Sequence, residues 1–160
     1  MAASVMSALE WISQTRWIVV MRDSSFGMPA VQSVHLVALT VLLAAILVLN
    51  LRLAGVTMTD WSLLAVERQL RPWAWGAATL LLASGVVMFL GNPAKYLANG
   101  AFQFKMLSLA LGILCQFGLF RRFFRSEPDV RRRSTNIAVA GLALTLWFAV
   151  GWAGRAIAFV

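Results

Sequence analysis

The chain has 160 residues, of which 61% are hydrophobic and only 12% charged, with a net charge of +8. Soluble domains carry about a quarter charged residues, so this composition excludes an ordinary soluble domain and points to a bilayer. The basic residues lie between long apolar runs, where membrane topology places them, and no soluble basic domain exists to bind nucleic acid.

Other classes fall away as quickly. Cys115 is the single cysteine, so no intrachain disulfide forms. There is no zinc-ligand spacing, no phosphate loop, no nucleophile with a base and no paired carboxylate, which speaks against a hydrolase or an NTPase. The expected fold is all-α: an integral membrane four-helix bundle with a short N-terminal interfacial helix.

In chain order, residues 3–20 mix apolar and polar groups. Val5, Met6, Leu9 and Ile12 share a helical face, and Trp11 and Trp17 suit headgroup depth. Residues 1–28 therefore read as an N-terminal interfacial segment, with a turn over 22–28 and Pro29 opening the next helix. No cleavable signal is expected, since the first basic residue is Arg16.

Residues 29–160 read as the transmembrane bundle, with spans over about 30–50, 73–90, 101–120 and 135–154. Arg52 can reach the headgroups from the end of the first span. Thr59 or Asp60 can cap a short helix carrying Leu63, Val66 and Leu70, and Pro72 then opens the second span. The short connection over 92–100 predicts antiparallel neighbours in spans two and three. Trp147 and Trp152 mark the far end of span four.

The charges orient this bundle. Arg52, Arg68 and Arg71 follow span one, and Arg121, Arg122, Arg125, Arg131, Arg132 and Arg133 follow span three. The loop after span two has only Lys95. The first and third loops are therefore expected in the cytoplasm, with both termini on the periplasmic side of a bacterial inner membrane. The arginine-rich loop also suits anionic lipid.

Orientation gives depth. His35, the one histidine, lies about five residues into span one, or about 8 Å from its outer end. Lys105 lies at a similar level in span three, and Arg155 follows the outer end of span four. No acidic residue inside a span neutralises these cations. On span three, Lys105, Leu109, Gly112 and Gln116 form one stripe at helical spacing, and its polar and small members suggest an interior face. Gly141, Thr145 and Trp152 would form the matching face of span four.

Two readings of His35 stand side by side. It can ligate haem iron or copper, or move a proton near a quinone. It can also be packing glue, hydrogen-bonded to a neighbouring helix. Lys105 can meet an anion such as a haem propionate, or can snorkel to the interface. A bare copper ion beside Lys105 is the less favourable case. Haem b usually takes two axial ligands; with one histidine per chain, Met28 or Met106 or a second His35 from a homodimer would supply the other, or the iron would be five-coordinate. Met28, Met88 and Met106 suit Cu(I) as thioethers but are also ordinary packing, as is Cys115.

The stretches V-H-L-V-A-L, N-L-R-L-A-G, L-R-P-W-A-W-G and N-G-A-F-Q-F-K-M, in that order, resemble an uncharacterised bacterial inner-membrane family, a domain of unknown function with four spans. The resemblance runs from about Gln32 to Arg155. That family is distantly similar to the CopD copper-resistance and HemJ haem-biosynthesis membrane proteins. The resemblance implies a site at His35 and Lys105, and a link to haem or copper. This chain has fewer histidines than either group.

The functional expectation is a haem- or metal-handling subunit linked to redox chemistry, with an outer-leaflet pocket between spans one and three. Haem b is the expected cofactor, ahead of copper. His35 is the metal or axial ligand, and Lys105 and Arg155 are the cofactor-binding cations. The alternative is a non-catalytic anchor or accessory subunit of a larger membrane complex.

Overall fold

The structure is a computed structural model that describes residues 2–119 and 133–156. Among these the chain is helical, with no strand. In order the helices are α1 (Ala2–Ser13), α2 (Arg16–Asp23), α3 (Gly27–Leu53), α4 (Leu63–Gly91), α5 (Pro93–Ala98), α6 (Gly100–Ile113) and α7 (Arg133–Ala156). A π-helical segment, Leu114–Leu119, continues α6. Arg121, Arg122, Arg125, Arg131 and Arg132 of the basic loop, and the expected end of span three, lie outside the described residues.

Three helices are long and apolar enough to cross a membrane: Gly27–Leu53, Leu63–Gly91 and Arg133–Arg155. The apolar stretch Gly100–Gln116 is shorter. Less than a third of each apolar window on the three long helices is buried, which suits a lipid surround and no aqueous one. Their polar exceptions are satisfied locally. Thr40, Thr79 and Thr145 donate to Leu36, Trp75 and Gly141 carbonyls, each at 2.9 Å. A threonine that bonds the preceding turn can face hydrocarbon at little cost.

The helix ends follow from local chemistry. Helix α3 closes in a Schellman motif: Gly55 adopts φ +74°, Val56 N–H bonds the Leu51 carbonyl at 2.9 Å and Gly55 N–H bonds that of Arg52 at 3.0 Å. Arg52 is not a snorkelling side chain. It is buried, and its Nε donates to the Trp61 carbonyl at 2.8 Å, tying the following loop to the helix end.

The cap of α4 is Ser62, whose hydroxyl accepts from Ala65 N–H at 3.1 Å, in place of Thr59 or Asp60. The expected short helix and the second span are one helix, with Pro72 inside it. Proline removes one backbone bond to the residue four before it. Leu63 and Val66, buried on the same helix as Ala77 and Leu81, hold the two halves in line. Asn92 and Asn99 cap α5 and α6 in turn through their side-chain oxygens.

Close packing joins α3 to α4, α6 to α7, and α3 to α7. Helices α4 and α6 are therefore not the tight neighbours that their short connection suggests. The contact recorded between them is the Phe89–Phe102 stack at 5.8 Å, with Tyr96 of α5 against both rings. The core along α3, α4 and α7 is Ala38, Leu42, Ile46, Ala77, Leu81 and Trp147. A second cluster, Leu53, Leu63, Ala140 and Ala143, fills the end away from α5, with Cys115 packed against it.

The N-terminal residues form two helices where one is expected, broken at Gln14 and Thr15. Helix α1 packs on α4 and α5, and α2 on α3 and α4. Ile18 is their buried anchor, while Trp11 and Trp17 stay exposed.

Candidate functional site

His35 sits on α3, about 12 Å along from its start, and Ser84 on α4, about 10 Å from its end. The two helices are antiparallel, so these residues meet. His35 Nδ1 lies 2.9 Å from Ser84 Oγ. Gly85 lies beside the ring: a Cβ there would stand 3.4 Å from His35 Cε1, at van der Waals contact.

The protons of this pair can be assigned. A serine hydroxyl has one proton and two lone pairs. Ser84 Oγ stands 2.7 Å from the Leu80 carbonyl and 3.2 Å from that of Leu81, so its proton is spent on its own helix. Nδ1 must then be the donor to Oγ. In the neutral imidazole the lone pair is left on Nε2. Second partners of this kind orient histidines that bind metals.

Lys105 is held on the opposite helix pair. Its Nζ and Cε lie 3.5 and 3.6 Å from where a Gly154 Cβ would stand, in the last turn of α7. That position places the ammonium at the negative end of a helix. Arg155 follows the glycine that Lys105 touches, and it is exposed. His35 and Lys105 sit on different helix pairs, α3 with α4 and α6 with α7. The expected direct interface of α3 with α6 is not among the close contacts.

The methionines do not complete a ligand set. Met28 Cε packs on Gly91, and Met28 precedes His35 by two turns, about 10 Å along the same helix. That spacing does not place the two on opposite sides of one iron. Met106 is exposed. Among the described residues no group of three or more His, Cys, Asp or Glu side chains could hold a metal ion.

The interior stripe on α6 is as expected. Lys105 and Leu109 are partly buried, Gly112 and Gln116 buried, and the Trp147 indole lies 3.5 Å from a Gly112 Cβ position. The matching face of α7 is different. Gly141, Thr145 and Trp152 are exposed, and Asn136, Ala140, Ala143, Trp147, Val150 and Ala153 point inward. Trp147 is core and not an interface marker.

Ser84, Gly85 and Gly154 were not singled out by sequence reasoning. Serine and glycine adjacent in an apolar helix are a signal for close approach, and here they mark where the imidazole lands. A groove of about 290 Å³ opens deeper between α3 and α7, lined by Thr40, Leu43, Ala44, Leu47, Leu144 and Phe148 among others, and takes in neither His35 nor Lys105.

The fold is that of a helical protein with several segments fit to span a membrane. Residues 5–160 match a family of unknown function, DUF6644, and the chain belongs to that family. No curated protein and no solved structure matches the chain.

Proposed function

We propose that this is a bacterial inner-membrane protein of four spans, α6 with its π-helical extension supplying the fourth, that binds haem b at His35 as part of a redox-linked, haem-handling role. The observation that carries the reading is the 2.9 Å contact of His35 Nδ1 with Ser84 Oγ: in the tautomer that donates from Nδ1, the lone pair stays on Nε2. One imidazole is too few for a bare metal ion and sufficient for a macrocycle. Lys105 would pair with a propionate, with Arg155 in support, and a bound haem would supply one-electron chemistry. A homodimer would bring a second His35.

In this reading the basic loops face the cytoplasm and meet anionic lipid, both termini face the periplasm, and residues 1–28 lie at the outer interface. The distant CopD and HemJ likeness belongs to this proposal.

One observation favours the rival reading, an anchor or accessory subunit of a larger complex. His35 already has a partner on the neighbouring helix, as a packing histidine would. Titration of the detergent-purified protein with haemin separates the two. Stoichiometric binding that Lys105→Met weakens about tenfold, the worth of one charge-assisted bond, supports the site. Binding absent, or unchanged in that variant, supports the anchor.

A further inference from the structure

Among the described residues, two buried side-chain polar atoms have no hydrogen-bond partner, and they are complementary. Asn50 is fully buried on α3. Its Nδ2 donates to the Ile46 carbonyl at 2.8 Å and lies 3.4 Å from Gln116 Oε1, but its Oδ1 accepts from nothing. The bond to a carbonyl fixes which end of the amide is nitrogen. Trp147 on α7 is 2% exposed, and its Nε1–H donates to nothing.

The two atoms belong to adjoining layers. Trp147 packs with Ile46 in one core cluster, and Asn50 is one turn further along α3. Gly112 lies under the indole, and Gln116 is one turn further along the same chain. Side chains lean toward the start of their own helix. Helices α3 and α7 run in opposite directions, so the Asn50 amide and the Trp147 indole lean toward each other. The indole atom over Gly112 is Cε2, to which Nε1 is bonded.

The chemistry restricts what can join them. The occupant must accept from an indole N–H and donate to an amide oxygen. A cation is repelled by the first and an anion by the second. Unpaired buried groups of this kind are costly in apolar surroundings, and one water satisfies both. We propose that a single water molecule is bound between Trp147 Nε1 and Asn50 Oδ1, beside Gln116. It forms a polar tie from α3 to α6 and α7, where the two helix pairs meet. This inference is independent of any haem at His35.

The test is nuclear magnetic resonance on the full chain in nanodiscs with ¹⁵N-labelled tryptophan and asparagine, the Trp147 indole being assigned by its loss in Trp147→Phe and the Asn50 side-chain amide by its loss in Asn50→Gln. The expected result is a cross-peak between the Trp147 indole proton and water. In Asn50→Leu that cross-peak disappears and the indole proton moves upfield, while the other indoles hold their positions. Trp147→Phe reads the same tie from the other side, as a shift of the Asn50 side-chain amide signals, and serves if Asn50→Leu does not fold. The proposal is overturned by a wild-type Trp147 indole with no water cross-peak. It is equally overturned by a cross-peak that persists in Asn50→Leu, or by Asn50 amide signals that ignore Trp147→Phe.

Discussion

Nδ1 of His35 and Oγ of Ser84 lie 2.9 Å apart although 49 positions separate them in the chain. This contact crosses the interface of α3 and α4 and fixes the ring in one orientation. Because the serine proton goes to the Leu80 carbonyl at 2.7 Å, the contact also fixes the tautomer. A polar bond between helices in hydrocarbon is worth about 1 kcal/mol, which holds a side chain without determining the fold.

Ser84→Ala tests that role. The variant removes the acceptor for Nδ1–H and leaves both helices intact. Haem affinity should fall by about 10- to 100-fold, the usual loss when the outer partner of a ligating histidine is removed. Thermal stability should change little. An equal loss of stability and no loss of affinity would make the pair a packing contact.

Much of this site was legible because period and depth are properties of sequence. His35 and Lys105 fall at one level once the spans are drawn. The stripe from Lys105 through Gly112 to Gln116 follows from helical spacing. The inward face of α7 was not legible, because in lipid polarity does not mark the interior. Thr145 satisfies itself on Gly141 and can face lipid, whereas small alanines pack inward. The continuous α4 was hidden by Pro72, since a proline reads as a helix start and tertiary packing overrides it. Ser84 was hidden because nothing local to α4 says which residue of α3 it meets.

Tyr96 gives a prediction free of the haem question. It lies on α5, half-buried against Phe89 and Phe102, and burial pushes its phenol above the ordinary value near 10. It is the one tyrosine in the chain, so phenolate absorbance reports it alone. A group whose folded pKa is raised contributes stability that is present below its unfolded pKa and is lost as pH rises through the folded value. The absorbance should therefore titrate later in folded than in denatured protein, and stability should decline across that window. Coincident titrations would place Tyr96 in water.

The orientation can be read by labelling. In a Cys115→Ser background, Ala94→Cys on α5 should react with an impermeant maleimide in intact cells with a permeabilised outer membrane. Ser134→Cys at the start of α7 should react only after lysis. The reverse pattern would invert the topology deduced from the arginines.

The most direct test of the haem account is the visible spectrum of the protein purified from haem-replete cells, oxidised and then reduced with dithionite, alongside His35→Ala. The account predicts a Soret band with visible bands that shift on reduction, all lost in a His35→Ala protein that still inserts and folds. A featureless wild-type spectrum, or a Soret band that survives unchanged in His35→Ala, would contradict it.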